Sequence, residues 1–216
     1  MQPETGVPPR SVGRGALSVV ADVHGRTRIA SLHQKGALRL VFPNTHRPDI
    51  EAIAVNTGGG LTGGDRFDLS ASVGAGATLS ITTQAAERAY RAQPGETAEF
   101  ATTLRVSHGG TLHWLPQELI LFQNAALRRR LDITLDPDAK LLMVEPLVFG
   151  RTAMGETLSS AAFRDRIRIT RGGMPIYADG LNPSGDVHSL MSHSATGRSA
   201  ARRVGKECSS RWSPYP

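Results

Sequence analysis

A single cysteine, Cys208, in 216 residues rules out an internal disulfide and any zinc site built on paired cysteines. Aromatic residues are only 5% of the chain, so a core has to be assembled from Leu, Val, Ile and Ala. The longest aliphatic run, Leu141-Leu142-Met143-Val144, is far short of the roughly 18 residues that a membrane span requires. Met1 to Arg10 holds no apolar segment of the kind found in a secretory leader. Together these absences predict a cytoplasmic protein with no membrane partner. Catalytic patterns are missing as well: there is no G-x-S-x-G elbow, no H-E-x-x-H and, outside residues 187–216, no cysteine with a histidine near it.

The formal charge of +6 is unevenly spread. Residues 187–216 hold Arg198, Arg202, Arg203, Lys206 and Arg211 against one acid, Glu207, so most of the excess lies there and the preceding 186 residues are close to balance. A basic tail attracts polyanions without sequence specificity. No aromatic pair is interleaved with the basic residues for base stacking, so no nucleic-acid partner is expected. The run Arg128-Arg129-Arg130 places Arg128 and Arg130 on one face of a strand and Arg129 on the other, which reads as a solvated edge that discourages unwanted pairing. His108 and His113 fall on opposite faces of a strand if it runs unbroken through Gly109-Gly110, and a role at a turn fits them better than metal ligation.

What the chain has in abundance is period-2 alternation. Phe67, Leu69, Ala71 and Val73 alternate with polar residues, as do Ala98, Phe100, Thr102, Leu104 and Val106. Strands are predicted over Ala16–Ala21, Arg28–His33, Ala37–Phe42, Ile50–Val55, Arg66–Val73, Ala77–Thr83, Glu96–Val106, Thr111–Leu115, Glu118–Phe122, Ala126–Leu135 and Lys140–Phe149, with Gly, Pro and Asp turn signals between them. Helical spacing occurs over Thr152–Phe163 and again over Ala85–Arg91. The expected organisation is a loose segment over residues 1–15, one mainly β domain over 16–186, and a divergent, disordered basic tail over 187–216. Periodicity alone leaves sandwich and β-helix undecided.

The most distinctive stretch is Asn56-Thr57-Gly58-Gly59-Gly60-Leu61-Thr62-Gly63-Gly64-Asp65, with five glycines in seven positions. Gly58, Gly60 and Gly63 satisfy G-x-G-x-x-G, but that fingerprint holds a pyrophosphate only if a helix opens after it, and a predicted strand follows here. Neither does the stretch match a Walker A loop, because Gly64-Asp65 stands where Lys and then Ser or Thr are needed. A glycine-rich link between strands, closely approached by other backbone, is the reading that survives.

With Thr82-Thr83-Gln84-Ala85-Ala86, Tyr90-Arg91, Leu115-Pro116-Gln117-Glu118, Leu121-Phe122, Gly150 to Glu156 and Arg164-Asp165-Arg166, taken in that order, the stretch resembles the UreD/UreH family of urease accessory proteins. The positions that carry the resemblance include Asn56, Thr57, Gly58, Gly59, Gly63, Gly64, Asp65, Gln84, Tyr90, Pro116, Gln117, Glu118, Met154, Gly155 and Glu156. It runs from about Gly36 to about Gly185, and residues beyond look unlike the family's continuation, so a truncation or frameshift after about residue 185 is expected.

That resemblance implies an elongated, β-helix-like stack of strands with one or two short helices. It also implies a non-catalytic scaffold and chaperone for nickel insertion into the urease apoprotein, with a UreF-type protein and a UreG-type GTPase as partners. A homodimer within that complex is compatible with it. No tightly bound cofactor is expected, with nickel only in transit. Acids in apolar or glycine-rich settings, Asp65, Glu118, Glu145 and Glu156, are the candidates for that path, since carboxylate oxygens hold nickel weakly and release it readily. The plainer role for such acids is a hydrogen bond to arginine or to backbone amides. Two other functions remain open on the sequence: a nucleotide-binding enzyme using the Gly58–Gly64 loop, and a polyanion-binding module acting through the basic tail.

Overall fold

A computed structural model describes residues 10–150, 158–192, 201–202 and 205–207. The chain opens with β1 (Val12–Ala21), β2 (Thr27–Gly36), β3 (Leu38–Val41) and β4 (Ile50–Asn56). A pattern of long, medium and short strands then repeats three times: β5 (Arg66–Val73), β6 (Thr78–Thr83), β7 (Glu87–Ala89); β8 (Ala98–Val106), β9 (Thr111–Leu115), β10 (Leu119–Leu121); β11 (Ala126–Leu135), β12 (Lys140–Val144), β13 (Leu147–Phe149). After it come β14 (Ala161–Arg171), β15 (Met174–Leu181), β16 (Ser184–Gly185), the six-residue helix α1 (Val187–Ser192), β17 (Ala201–Arg202) and β18 (Gly205–Glu207).

Each repeat is one turn of a parallel β-solenoid, so the expected β-helix-like stack is the observed fold. The long strands β1, β5, β8, β11 and β14 form one parallel wall. A second wall joins β4, β6, β9 and β12, and a third joins β7, β10 and β13. Corners stack too: Ser107 N donates to Val73 O and Asp136 N to Val106 O, both at 2.9 Å, while Lys140 N donates to Gly110 O at 2.8 Å. Every coil therefore satisfies the polar backbone of its neighbour.

Alternation decides what fills the interior. Phe67, Leu69, Ala71 and Val73 of β5 are buried and stack on Leu104 and Val106 of β8, then on Leu127, Leu131, Ile133 and Leu135 of β11, then on Phe163, Ile167 and Ile169 of β14. Each Leu or Ile so buried contributes about 1.5–3 kcal/mol. At both ends the parallel stack is closed by antiparallel strands: β2 on β1 and β3 on β4 at one end, and β15 on β14, β17 on β13 and β18 on β12 at the other.

Several local expectations change. Ala85–Arg91 is not helical: Glu87–Ala89 is β7, which must be extended to pair with Leu119–Leu121 in the next coil. Over Thr152–Phe163 the helical spacing gives way to strand where Ala161–Phe163 opens β14, while residues 151–157 lie outside the described residues. Lys140–Phe149 is split into β12 and β13 by the corner at Glu145-Pro146. Residues 12–15, placed in a loose segment, belong to β1 and pair on both sides. In the segment expected to be a disordered tail, Val187 is 0% exposed within the core and begins α1. Among the described residues no helix is long and apolar enough to cross a membrane.

Candidate functional site

The glycine-rich stretch leaves β4, folds back against the short-strand wall and enters β5 directly. Leu61 N donates to Arg88 O and Tyr90 N donates to Leu61 O, both at 2.7 Å, so the stretch extends the third wall by one bridged residue above β7. Gly60 shows why side chains are excluded. Its φ is 151°, and an added Cβ would lie 2.4 Å from the Tyr90 ring and 2.8 Å from Arg88 O. Tyr90 in turn packs on Phe122 with ring centroids 5.0 Å apart. No helix follows Gly64, so the loop lacks the N-terminal amides that a phosphate cradle uses.

Polar residues of the motif pin this loop to the coil beneath it. The Asn56 side-chain amide donates to Gly60 O at 3.1 Å and to Glu87 Oε1 at 3.1 Å, and its Oδ1 accepts from Gly58 N at 2.9 Å. Asp65 is 3% exposed, and both of its oxygens are taken: Oδ1 accepts from Ser11 N at 2.7 Å and Oδ2 from Thr62 N at 2.8 Å. On the adjacent corners Gln84 N donates to Ala54 O, and Gln117 N donates to Thr83 Oγ1, each at 3.0 Å. The Thr83–Ala86 corner is thereby stacked on the Pro116–Glu118 corner.

Inside these corners lies a cavity of about 180 Å³. Leu61, Leu69, Phe100, Trp114, Leu119 and Leu131 give it apolar walls, and Asn56, Gln84, Glu87, Gln117, Arg129 and Glu145 bring polar groups to it. Burial raises the Glu87 carboxyl above its usual range, opposed by the hydrogen bond from Asn56 and the nearby Arg88. Deeper in, the Arg129 guanidinium grips Asp165 with two bonds, Nε to Oδ1 at 2.9 Å and Nη2 to Oδ2 at 2.5 Å, and donates to Glu145 Oε2 at 2.6 Å. Trp114 Nε1 donates to the other Glu145 oxygen. Burial alone would lower the Arg129 pKa, but the charges of Glu145 and Asp165 and their hydrogen bonds reverse that effect and hold it above its ordinary value. Two carboxylates against one guanidinium leave the cluster one negative charge in excess.

Of the four acids singled out by sequence, the three that lie within the described residues are not brought together. Asp65 fastens the glycine-rich stretch, and Glu145 belongs to the arginine cluster. Glu118 is half-buried on the next corner, where its backbone carbonyl accepts from Glu87 N at 2.9 Å. Glu156, with Met154 and Gly155, lies outside the described residues. Among the described residues, no three His, Cys, Asp or Glu side chains converge as a metal-binding group. His108 sits at a turn facing Asp138 at 3.0 Å, and His113 faces Ser80 at 3.0 Å.

Arg128-Arg129-Arg130 is a correction: β11 is an interior strand between β8 and β14, not an edge, and Arg129 points into the core. Glu87, Arg129 and Trp114 were absent from the sequence-derived candidates. The Arg129 parity was visible in the run itself. Its destination depends on which strands flank it, which one strand's sequence does not encode.

Comparison with known proteins adds the following. The family profile described as UreD urease accessory protein matches residues 12–204. A protein of Ruegeria sp. (strain TM1040) named urease accessory protein UreD is 52% identical over 181 residues, which is 84% of this chain and 61% of that protein. Its namesake in Roseobacter denitrificans is 52% identical over 179 residues, 83% of this chain and 65% of the relative. One in Rhizobium leguminosarum bv. viciae is 48% identical over 188 residues, 87% of this chain and 68% of the relative. The chain thus spans somewhat under two thirds of the length of the first two relatives.

Proposed function

Because the chain belongs to the UreD family of urease accessory proteins, we propose that it is a non-catalytic scaffold and chaperone for nickel insertion into the urease apoprotein. It acts in the cytoplasm, with a UreF-type protein and a UreG-type GTPase as its partners. GTP hydrolysis belongs to the GTPase, which agrees with a glycine-rich stretch that has neither the Walker lysine nor a following helix.

The observation that carries this reading is the cavity bounded by the motif corners. Asn56, Gln84 and Gln117, which carry the family resemblance, all border the same space as Glu87 and Glu145. Nickel is cargo here, and a cargo route needs ligands that exchange. Carboxylate oxygens meet that need better than thiolate or imidazole, and the unbalanced negative charge of the Arg129 cluster favours a cation nearby. Glu87, desolvated and hydrogen-bonded to Asn56, is the side chain placed to meet the ion first, with Glu145 further in. Asp65 and Glu118 take a flanking part in the proposed path, and Glu156 remains a candidate outside the described residues.

Co-expression with urease and the other accessory proteins tests the assignment. Omitting this chain is expected to leave the urease short of nickel and of activity. Unchanged metal content and activity without the chain would remove the proposal.

A further inference from the structure

The outward side of the long-strand wall carries a charge pattern that the near-neutral sequence of the body conceals. On β11 and β14 the outward positions form a block of two by three: Arg128 beside Arg164, Arg130 beside Arg166, and Asp132 beside Arg168. Five of the six are arginine. Like charges directly opposite on paired strands destabilise a sheet, and two successive rungs here are Arg–Arg. Edge protection does not account for the pattern, because β11 is interior and β14 is covered by β15.

Acids neutralise only part of the block. Glu99 takes Arg128 at 2.8 Å, while Asp132 takes Arg130 at 3.0 Å and lies 3.6 Å from Arg166. Arg164 and Arg168 are exposed and hold no ion pair among the described residues. The block is flanked on β8 by Glu99, Ala101 and Thr103 and on β15 by Ala178 and Gly180, so the small residues lie beside Arg130, Arg166 and Arg168. Among the described residues, no flanking side chain forms an ion pair with Arg164 or Arg168.

We infer that this arginine block is a docking surface for an acidic helix of a protein partner. The inference rests on the scaffold reading and deepens it by giving one partner surface and its chemistry. Successive outward residues on a strand are about 6.6–6.8 Å apart, close to the roughly 6 Å between carboxylates at positions i and i+4 of a helix. A helix lying along β14 therefore presents one acid to each of Arg164, Arg166 and Arg168, and planar guanidinium groups bind carboxylates in the bidentate mode. A second copy of this chain would bring arginines onto arginines. Nucleic acid is disfavoured because the block contains no aromatic ring for stacking and because Asp132 and Glu99 repel phosphate.

The test uses the full chain, a hydrocarbon-stapled helical peptide with Glu at i, i+4 and i+8, and the same peptide with Lys in those places. Anisotropy titrations are expected to show binding of the Glu peptide alone, weakened by added salt. The double variant Arg164→Glu/Arg168→Glu should bind about tenfold more weakly, and Arg26→Glu/Lys140→Glu, the same charge change elsewhere, should bind as the unaltered chain does. If the reversed variant does not fold, Arg164→Gln/Arg168→Gln serves, with a smaller loss expected. Undiminished binding by a folded variant overturns the inference, as does a short DNA duplex that binds more tightly than the Glu peptide. In co-expression, a urease that needs this chain yet matures fully with Arg164→Glu/Arg168→Glu removes the surface alone, whereas a urease that matures without the chain removes the scaffold reading beneath it.

Discussion

Arg129 and its two sequence neighbours share one strand and one side-chain chemistry but occupy opposite electrostatic worlds. Arg129 points inward, its side chain 14% exposed, and is saturated by two carboxylates. Arg128 and Arg130 point outward, with side chains 58% and 51% exposed, and make one simple ion pair each. Coulomb attraction in the water-poor interior is several times stronger than at the surface, but so is the penalty for leaving a charge unpaired. The inner arginine is thus fixed by necessity and the outer ones are available to a partner.

The sharpest way to break that contrast is Arg129→Met. It strands Glu145 and Asp165 together in the core, and urea unfolding should show a loss of about 3–5 kcal/mol. Replacing all three, as Arg129→Met/Glu145→Leu/Asp165→Leu, should recover most of the loss, because no buried charge remains unpaired. If the triple variant is as unstable as the single one, the cluster's packing rather than its charge is what matters.

Glu87 sharpens the comparison as an inward acid whose side-chain hydrogen bond comes from the Asn56 amide rather than from a guanidinium. Its pKa is raised in the folded protein, so its favourable contribution is full below the unfolded value of 4.5 and is lost as pH rises through the folded value. Glu87→Gln should therefore raise the melting temperature modestly at neutral pH, with the gain shrinking to nothing once pH falls below 4.5. Thermal melts across that range decide it; a gain that persists in acid would mean that ionisation is not the cause.

The smallest effect belongs outside. Arg128→Ala and Arg130→Ala should each change stability by about 1 kcal/mol or less, and added salt should erase the difference. A loss as large as that from Arg129→Met would abolish the distinction between the two faces.

The same contrast explains what could be read in advance. Alternation over Arg66–Val73 and Ala126–Leu135 placed those strands to the residue, because burial on one side of a strand writes itself into every second position. The coil did not show, since parallel neighbours about thirty residues apart leave no mark on the period of either strand, and β-helix was favoured over sandwich only by the family resemblance. The β7 segment looked helical because three residues are too few to display a period. Glu145 was recognised as an acid too costly to bury alone, but its partners, Trp114 and Arg129, came from β9 and β11 and could be named only once those strands were stacked.

The antiparallel strands at the two ends of the stack carry a last consequence. A parallel coil is a mould for another coil, and a bare rung would invite any extended chain, including a copy of itself, to continue the pile into a fibre. By turning the direction of the chain at β2, β3, β15, β17 and β18, the protein spoils the mould at both faces of the column. An extended chain arriving at those strands meets a reversed direction in place of the parallel template, so repetition finds no register in which to continue.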